Sequence, residues 1–120
     1  MAQKFTVYYY ISSSGENPVK DFLDSLNGKQ RAKVFRIFEV YEEYGLNSIM
    51  LHTKKITATP FWEIRILGKD NIRIIYLMVT KENILALHGF VKKSQKTPQK
   101  ELKTALERYK DWKESIDKPD

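Results

Sequence analysis

Polar and apolar positions alternate from the start of the chain. Phe5, Val7, Tyr9 and Ile11 share one parity and Thr6, Tyr8 and Tyr10 the other, and this period of two predicts a strand over residues 4–11. Three serines, Gly15 and Glu16 interrupt it. Asn17-Pro18 then opens a helix, with the asparagine as cap and the proline at the first helical position, where its missing N–H costs nothing. Val19, Phe22, Leu23 and Leu26 follow at the helical period, and Asn27-Gly28 is expected to end the helix. A second helix is predicted over residues 29–44, where Val34, Ile37, Phe38, Tyr41 and Tyr44 form one stripe and Gly45 is the stop. Residues 46–60 have no clear period and read as a loop with at most a short extended piece.

Three strands follow in close order. Residues 61–67 alternate Trp62, Ile64 and Ile66 against Phe61, Glu63 and Arg65; residues 71–79 are apolar on both parities, the mark of a strand covered on both sides; residues 84–91 complete the set. Gly68-Lys69-Asp70 and Lys81-Glu82-Asn83 are short enough for hairpins, so an antiparallel meander is expected. A third helix, with Thr97 as cap and Pro98 at its first position, sets Leu102, Ala105, Leu106, Tyr109, Trp112 and Ile116 on one face. The order β-α-α-β-β-β-α, without repeat or linker, predicts one α+β domain over residues 1–120. Its antiparallel sheet of about four strands would pack against helices.

Composition enters mainly by exclusion. The chain has no cysteine, which removes disulfides, a thiol nucleophile and a cysteine zinc site, and suits a reducing cytoplasm. His52 and His88 are too few for a histidine-rich metal centre. Charges break every apolar run short of the roughly 18 residues a membrane span needs, and no secretory signal is expected. The net charge of +6 is concentrated: residues 54–96 hold nine Lys/Arg against three Asp/Glu, while the segments before and after are each balanced. That concentration fits a polyanion site, and equally lysines decorating a sheet rim.

The cations in that segment are Lys54, Lys55, Arg65, Arg73, Lys92, Lys93 and Lys96 near strand ends, together with Lys69 and Lys81 in turns. Arg65 lies opposite the Trp62/Ile64/Ile66 face, open either to a phosphate or to pairing with Glu63 or a neighbouring strand. Arg73 must be paired if it points inward, and lies beside Arg65 if it points outward. Lys92, Lys93 and Lys96 lead into the third helix, whose free N–H groups attract phosphate. Phe61 and Phe90 adjoin basic positions and are candidate stacking platforms for a base. His88 is a candidate proton donor or a hydrogen-bonded sheet residue.

Read in order, the segments PVxxFL at Pro18–Leu23, WEIR at Trp62–Arg65, RIIY at Arg73–Tyr76 and HGFxKKxQKTP at His88–Pro98 resemble a toxin of the RelE/ParE superfamily, in its phage-derived HigB-like branch. The resemblance runs from about residue 5 to residue 110. It implies a RelE-like fold and a cytoplasmic type II toxin whose activity is ribosome-dependent cleavage of mRNA without metal or cofactor. It also implies a helix-turn-helix antitoxin of the HigA kind as partner, in a hetero-oligomeric complex. On this sequence the resemblance places catalytic roles on Arg65, Lys54, Lys55, Lys93 and, as a possible acid, His88. RNA contacts fall on Arg73, Lys92, Lys96, Phe90 and Phe61. The tyrosine of RelE has no equivalent at Tyr109, which lies in the apolar stripe of the third helix.

The implied chemistry is consistent with the residues. Metal-free cleavage makes a 2′-hydroxyl attack its own phosphate, which needs a base and fixed positive charge. A lysine at its reference pKa of about 10.4 stays protonated at neutral pH, and crowding among cations is expected to lower one of them. Within the superfamily the competing reading is a ParE-like inhibitor of DNA gyrase. Outside it stand a basic RNA- or ribosome-binding module without catalysis, and a degenerate toxin that only binds its antitoxin.

Overall fold

The computed structural model describes residues 4–66, 68–69, 71–93 and 97–117. In chain order these form β1 (Thr6–Tyr9), α1 (Pro18–Ser25), α2 (Gly28–Tyr44), a 3₁₀ segment (Leu46–His52), β2 (Thr53–Lys55), β3 (Phe61–Ile66), β4 (Ile72–Met78), β5 (Asn83–Val91) and α3 (Gln99–Asp117). The strands make one mixed sheet in the order β1-β5-β4-β3-β2, with β1 parallel to β5 and every other pair antiparallel. The fold is α+β, and the β3-β4-β5 meander stands as expected. The sheet itself differs from the expected four antiparallel strands. β2 lies inside the stretch read as a loop, and three residues are too few to display a period. β1 pairs in parallel with a strand remote in sequence, which no local pattern records.

The caps explain the helical hairpin. Asn17 Oδ1 accepts the Lys20 N–H at 3.2 Å, as its place before Pro18 suggested. Asn27 starts α2 as well as following α1: its Oδ1 accepts the Gln30 N–H at 2.8 Å, and Gln30 Oε1 accepts the Asn27 N–H at 3.1 Å. Arg31 turns back to donate to Leu26 O at 2.9 Å and to Leu23 O at 3.1 Å, where it joins the Leu26 N–H at the end of α1.

The two faces of the sheet are covered differently. Ile64, Ile66, Ile72, Ile74, Tyr76, Ile84 and Ala86 pack on Val19, Leu23 and Leu26 of the α1 segment and Val34, Ile37, Phe38 and Tyr41 of α2. Gly89 lies under Phe22 so closely that a Cβ there would land on the ring. On the other face Phe61, Ile75, Leu85, Leu87 and Phe90 meet α3, of which Ala105 alone is fully buried. Leu106 and Ile116, expected to face inward, are exposed. Polar ties hold α3 as much as packing does: Tyr10 Oη donates to Asp111 at 2.5 Å, and Arg108 Nη1 donates to Leu87 O at 2.9 Å. Among the described residues no helix is long and apolar enough to cross a membrane.

Candidate functional site

Strand register decides which cations meet. Lys54 of β2 stands opposite Glu63 of β3, and Arg65 stands opposite Arg73 of β4. Because side chains alternate, Lys54, Glu63, Arg65 and Arg73 all fall on the α3 face of the sheet. Lys92, just beyond β5, is fixed by its N–H to Asn71 O at 2.8 Å, which brings it toward the same corner. A cleft of about 600 Å³ opens there, between the β2 edge and the start of α3. It is lined by Lys54, Lys55, Ile56, Thr57, Glu63, Arg65, Lys92, Thr97 and Leu102.

The floor of this cleft is a buried ion pair. Glu63 and Arg73 are both buried, with Arg73 Nε 3.5 Å from Glu63 Oε1. Arg73 Nη1 donates to Ile72 O at 3.0 Å, while its Nε lacks a hydrogen-bond partner, so the contact with Glu63 is Coulombic rather than a good hydrogen bond. Glu63 Oε2 accepts the Thr97 hydroxyl at 2.7 Å, which ties the segment before α3 to the sheet. Thr97, expected to cap α3, spends its hydroxyl on this contact instead.

Two of Arg73's possibilities are thereby joined: it points to the same side as Arg65, yet it is paired and buried. It lies under the cleft and is buried rather than open to solvent. Arg65 is partly exposed, and among the described residues no carboxylate lies within ion-pair distance of it, since Glu63 faces Arg73.

The Lys92 amine has a pKa below the ordinary lysine value. Burial lowers its pKa first, Glu63 opposes the shift, and the charges of Arg73, Arg65 and Lys54 lower it further. Crowding was the expected cause; burial is the larger one.

The other candidates stand differently. Lys55 lines the cleft but pairs in register with Trp62, on the opposite parity from Lys54, and its Nζ donates to Thr59 O across the β2–β3 turn. Lys93 is exposed and does not line the cleft. Lys96 lies outside the described residues. Phe61 and Phe90 are 2% and 5% exposed, so neither ring has a face open to a base; α3 covers both.

His88 is enclosed as well. Its Nδ1 accepts from Arg108 Nη1 at 3.0 Å, which leaves Nε2 to carry the proton and donate to Glu101 Oε1 at 3.0 Å, and its ring stacks on Phe90 at 5.5 Å. Burial, with Arg108 helping and Glu101 opposing, pulls its pKa below the ordinary histidine value. This is a packed sheet histidine outside the cleft lining.

Glu63 and Thr97 are members of the site to which the sequence reading gave other roles. Glu63 was read as a possible partner of Arg65, and Thr97 as the cap of the third helix. Among the described residues no three His, Asp or Glu side chains come together as a metal site.

The family model described as phage derived protein Gp49-like (DUF891) matches residues 21–110. A search of curated proteins finds no match. The matched region spans most of α1 to most of α3 and so includes every residue that lines the cleft.

Proposed function

Because the chain belongs to the phage-derived Gp49-like family, we propose that it is the toxin of a type II toxin–antitoxin pair and cleaves mRNA on the ribosome without a metal. What supports this reading is one arrangement: Arg65, with no carboxylate in ion-pair distance among the described residues, shares a cleft with Lys92, whose amine is shifted toward its neutral form. In the reaction Lys92 takes the proton from a ribose 2′-hydroxyl. The O2′–P bond forms, the P–O5′ bond breaks, and the products are a 2′,3′-cyclic phosphate and a 5′-hydroxyl that takes up a proton. Arg65 binds the phosphate bidentately and meets the added charge of the phosphorane, with Lys54 beside it. Glu63 and Arg73 form the base on which these groups stand. A helix-turn-helix antitoxin of the HigA kind is the proposed partner in the cytoplasm.

The test is cleavage of an mRNA during its translation, with wild type, Arg65→Ala and Lys92→Arg compared. Loss of the phosphate-binding donor is expected to slow cleavage by about 10²–10³-fold. Lys92→Arg keeps the charge but removes a group able to give up its proton, and is expected to lose roughly 10²–10⁴-fold. Discrete cuts that fade in both variants uphold the reading. Toxic wild type that leaves translated mRNA intact overturns it and points to gyrase or to ribosome binding alone.

A further inference from the structure

At the edge of the sheet farthest from the cationic cleft lies a surface of opposite character. β1 ends the sheet on that side, and among the described residues no strand pairs with its outer edge. The N–H groups of Thr6 and Tyr10 point inward, to Glu82 O and Ala86 O. By the alternation of a strand, the amides of Val7 and Tyr9 therefore point outward. Beside that edge runs a groove of about 590 Å³ between β1 and α2.

The groove is apolar along one wall and acidic along the other. Tyr8, Ile11 and Phe35 are 53%, 59% and 38% exposed, more than burial would predict for such side chains. Phe35, Glu39 and Glu42 recur at helical spacing on α2, so all three line the groove from one helix face. Burial first, and then the charge of Glu39, raise the Glu42 carboxyl above its ordinary pKa. The chain as a whole carries a net charge of +6.

We propose that this edge and groove receive an extended strand of a second protein, which pairs with Val7 and Tyr9 and places apolar side chains over Phe35 and a lysine or arginine against Glu39. Unpaired backbone groups give a bound strand its hydrogen bonds, and the side-chain groove gives it selectivity. A second copy of this chain is a poor occupant, because two-fold pairing would oppose the acidic groove to itself. The site lies at the β1 edge and the cationic cleft at the β2 edge, so both can be filled at once. The inference is independent of the cleavage reading.

The probe is a short synthetic peptide that alternates valine with lysine, added to the full chain. It carries the same sign as the protein's net charge, so long-range repulsion works against binding and only a local acidic surface favours it. The expected result is slowed hydrogen exchange of the Val7 and Tyr9 amides on binding. Glu39→Lys and, separately, Phe35→Ser are expected to weaken binding at least about tenfold. A peptide alternating valine with glutamate is expected to prefer Glu39→Lys over wild type. Three outcomes overturn the proposal: unprotected Val7 and Tyr9 amides at about 1 mM peptide, an affinity indifferent to Glu39→Lys, or concentration-dependent protection of these amides without peptide, which assigns the edge to self-association.

Discussion

The two faces of the sheet carry about the same number of strand side chains and do opposite work with them. The face under α1 and α2 is aliphatic and aromatic, and its contacts leave no polar group among the buried sheet residues other than a tyrosine hydroxyl, which meets Thr53 Oγ1 at 2.5 Å. The face under α3 mixes apolar residues with Glu63, Arg73 and His88, and α3 buries only Ala105 completely. Strand alternation links the faces. Ile64 and Ile66, locked against the helices, fix the register that turns Glu63 and Arg65 the other way. A dry face thus sets the geometry, and charged groups on the second face inherit it. Hydrophobic burial supplies stability on the first face, whereas electrostatic order on the second is bought at a desolvation cost.

The sharpest way to break this contrast is at the floor of the cleft. Glu63→Ala leaves the Arg73 guanidinium buried without its counter-charge, and arginine does not shed its proton to escape. The expected loss of stability is about 3–5 kcal/mol, read from the urea unfolding midpoint. Glu63→Leu combined with Arg73→Met removes both charges and is expected to recover most of that loss while abolishing cleavage. A loss under about 1 kcal/mol for Glu63→Ala means that water reaches the pair and the α3 face is wetter than its burial indicates.

A smaller effect is expected on the dry face. Gly89→Ala adds a single methyl where the Phe22 ring already sits, so α1 must shift or the ring must leave its place. Overpacking of this kind costs about 1–3 kcal/mol. Phe22→Leu in the same chain is expected to return part of it, since the crowded ring edge is gone. If Gly89→Ala unfolds at the wild-type midpoint, then α1 rides on the sheet loosely, and the two faces differ less in packing than in charge.

Sequence legibility followed the same division. Trp62, Ile64 and Ile66 announced the dry face by parity alone, and Val34, Ile37, Phe38 and Tyr41 announced the helix covering it. Arg65 was placed correctly on the opposite side for the same reason. The remainder of the second face depended on contacts that no local period encodes. Phe61 and Phe90 read as open aromatics until α3 is laid over them. Lys54 and Lys55 read as equivalent neighbours until β2, a strand too short to be seen, sends one to each face. Asn27-Gly28 was read for ending α1, and its second use as the cap of α2 required Gln30 to turn back. The site chemistry was visible as a concentration of charge, but its floor was not, because pairing Glu63 with Arg73 rather than Arg65 is a diagonal choice between strands.

The mildest expected effect concerns the polar tie between the second face and α3. His88 is held neutral, with Nδ1 accepting from Arg108 and Nε2 donating to Glu101. Its folded pKa lies below the ordinary 6.5, chiefly through burial. The unfolded chain therefore binds the proton first as pH falls, and the neutral histidine's contribution is complete above about pH 6.5 and is lost on acidification through the folded pKa. Protonation also costs the Arg108 hydrogen bond, since Nδ1 then becomes a donor facing a donor. His88→Gln can keep an acceptor toward Arg108 and a donor toward Glu101 but cannot titrate. The stability difference between wild type and His88→Gln is expected to move against wild type between pH 7 and pH 5, by less than the Gly89→Ala effect. Urea midpoints that run parallel for the two proteins across that range would show that α3 keeps its place without regard to His88, and that Tyr10–Asp111 and Arg108–Leu87 carry the docking instead.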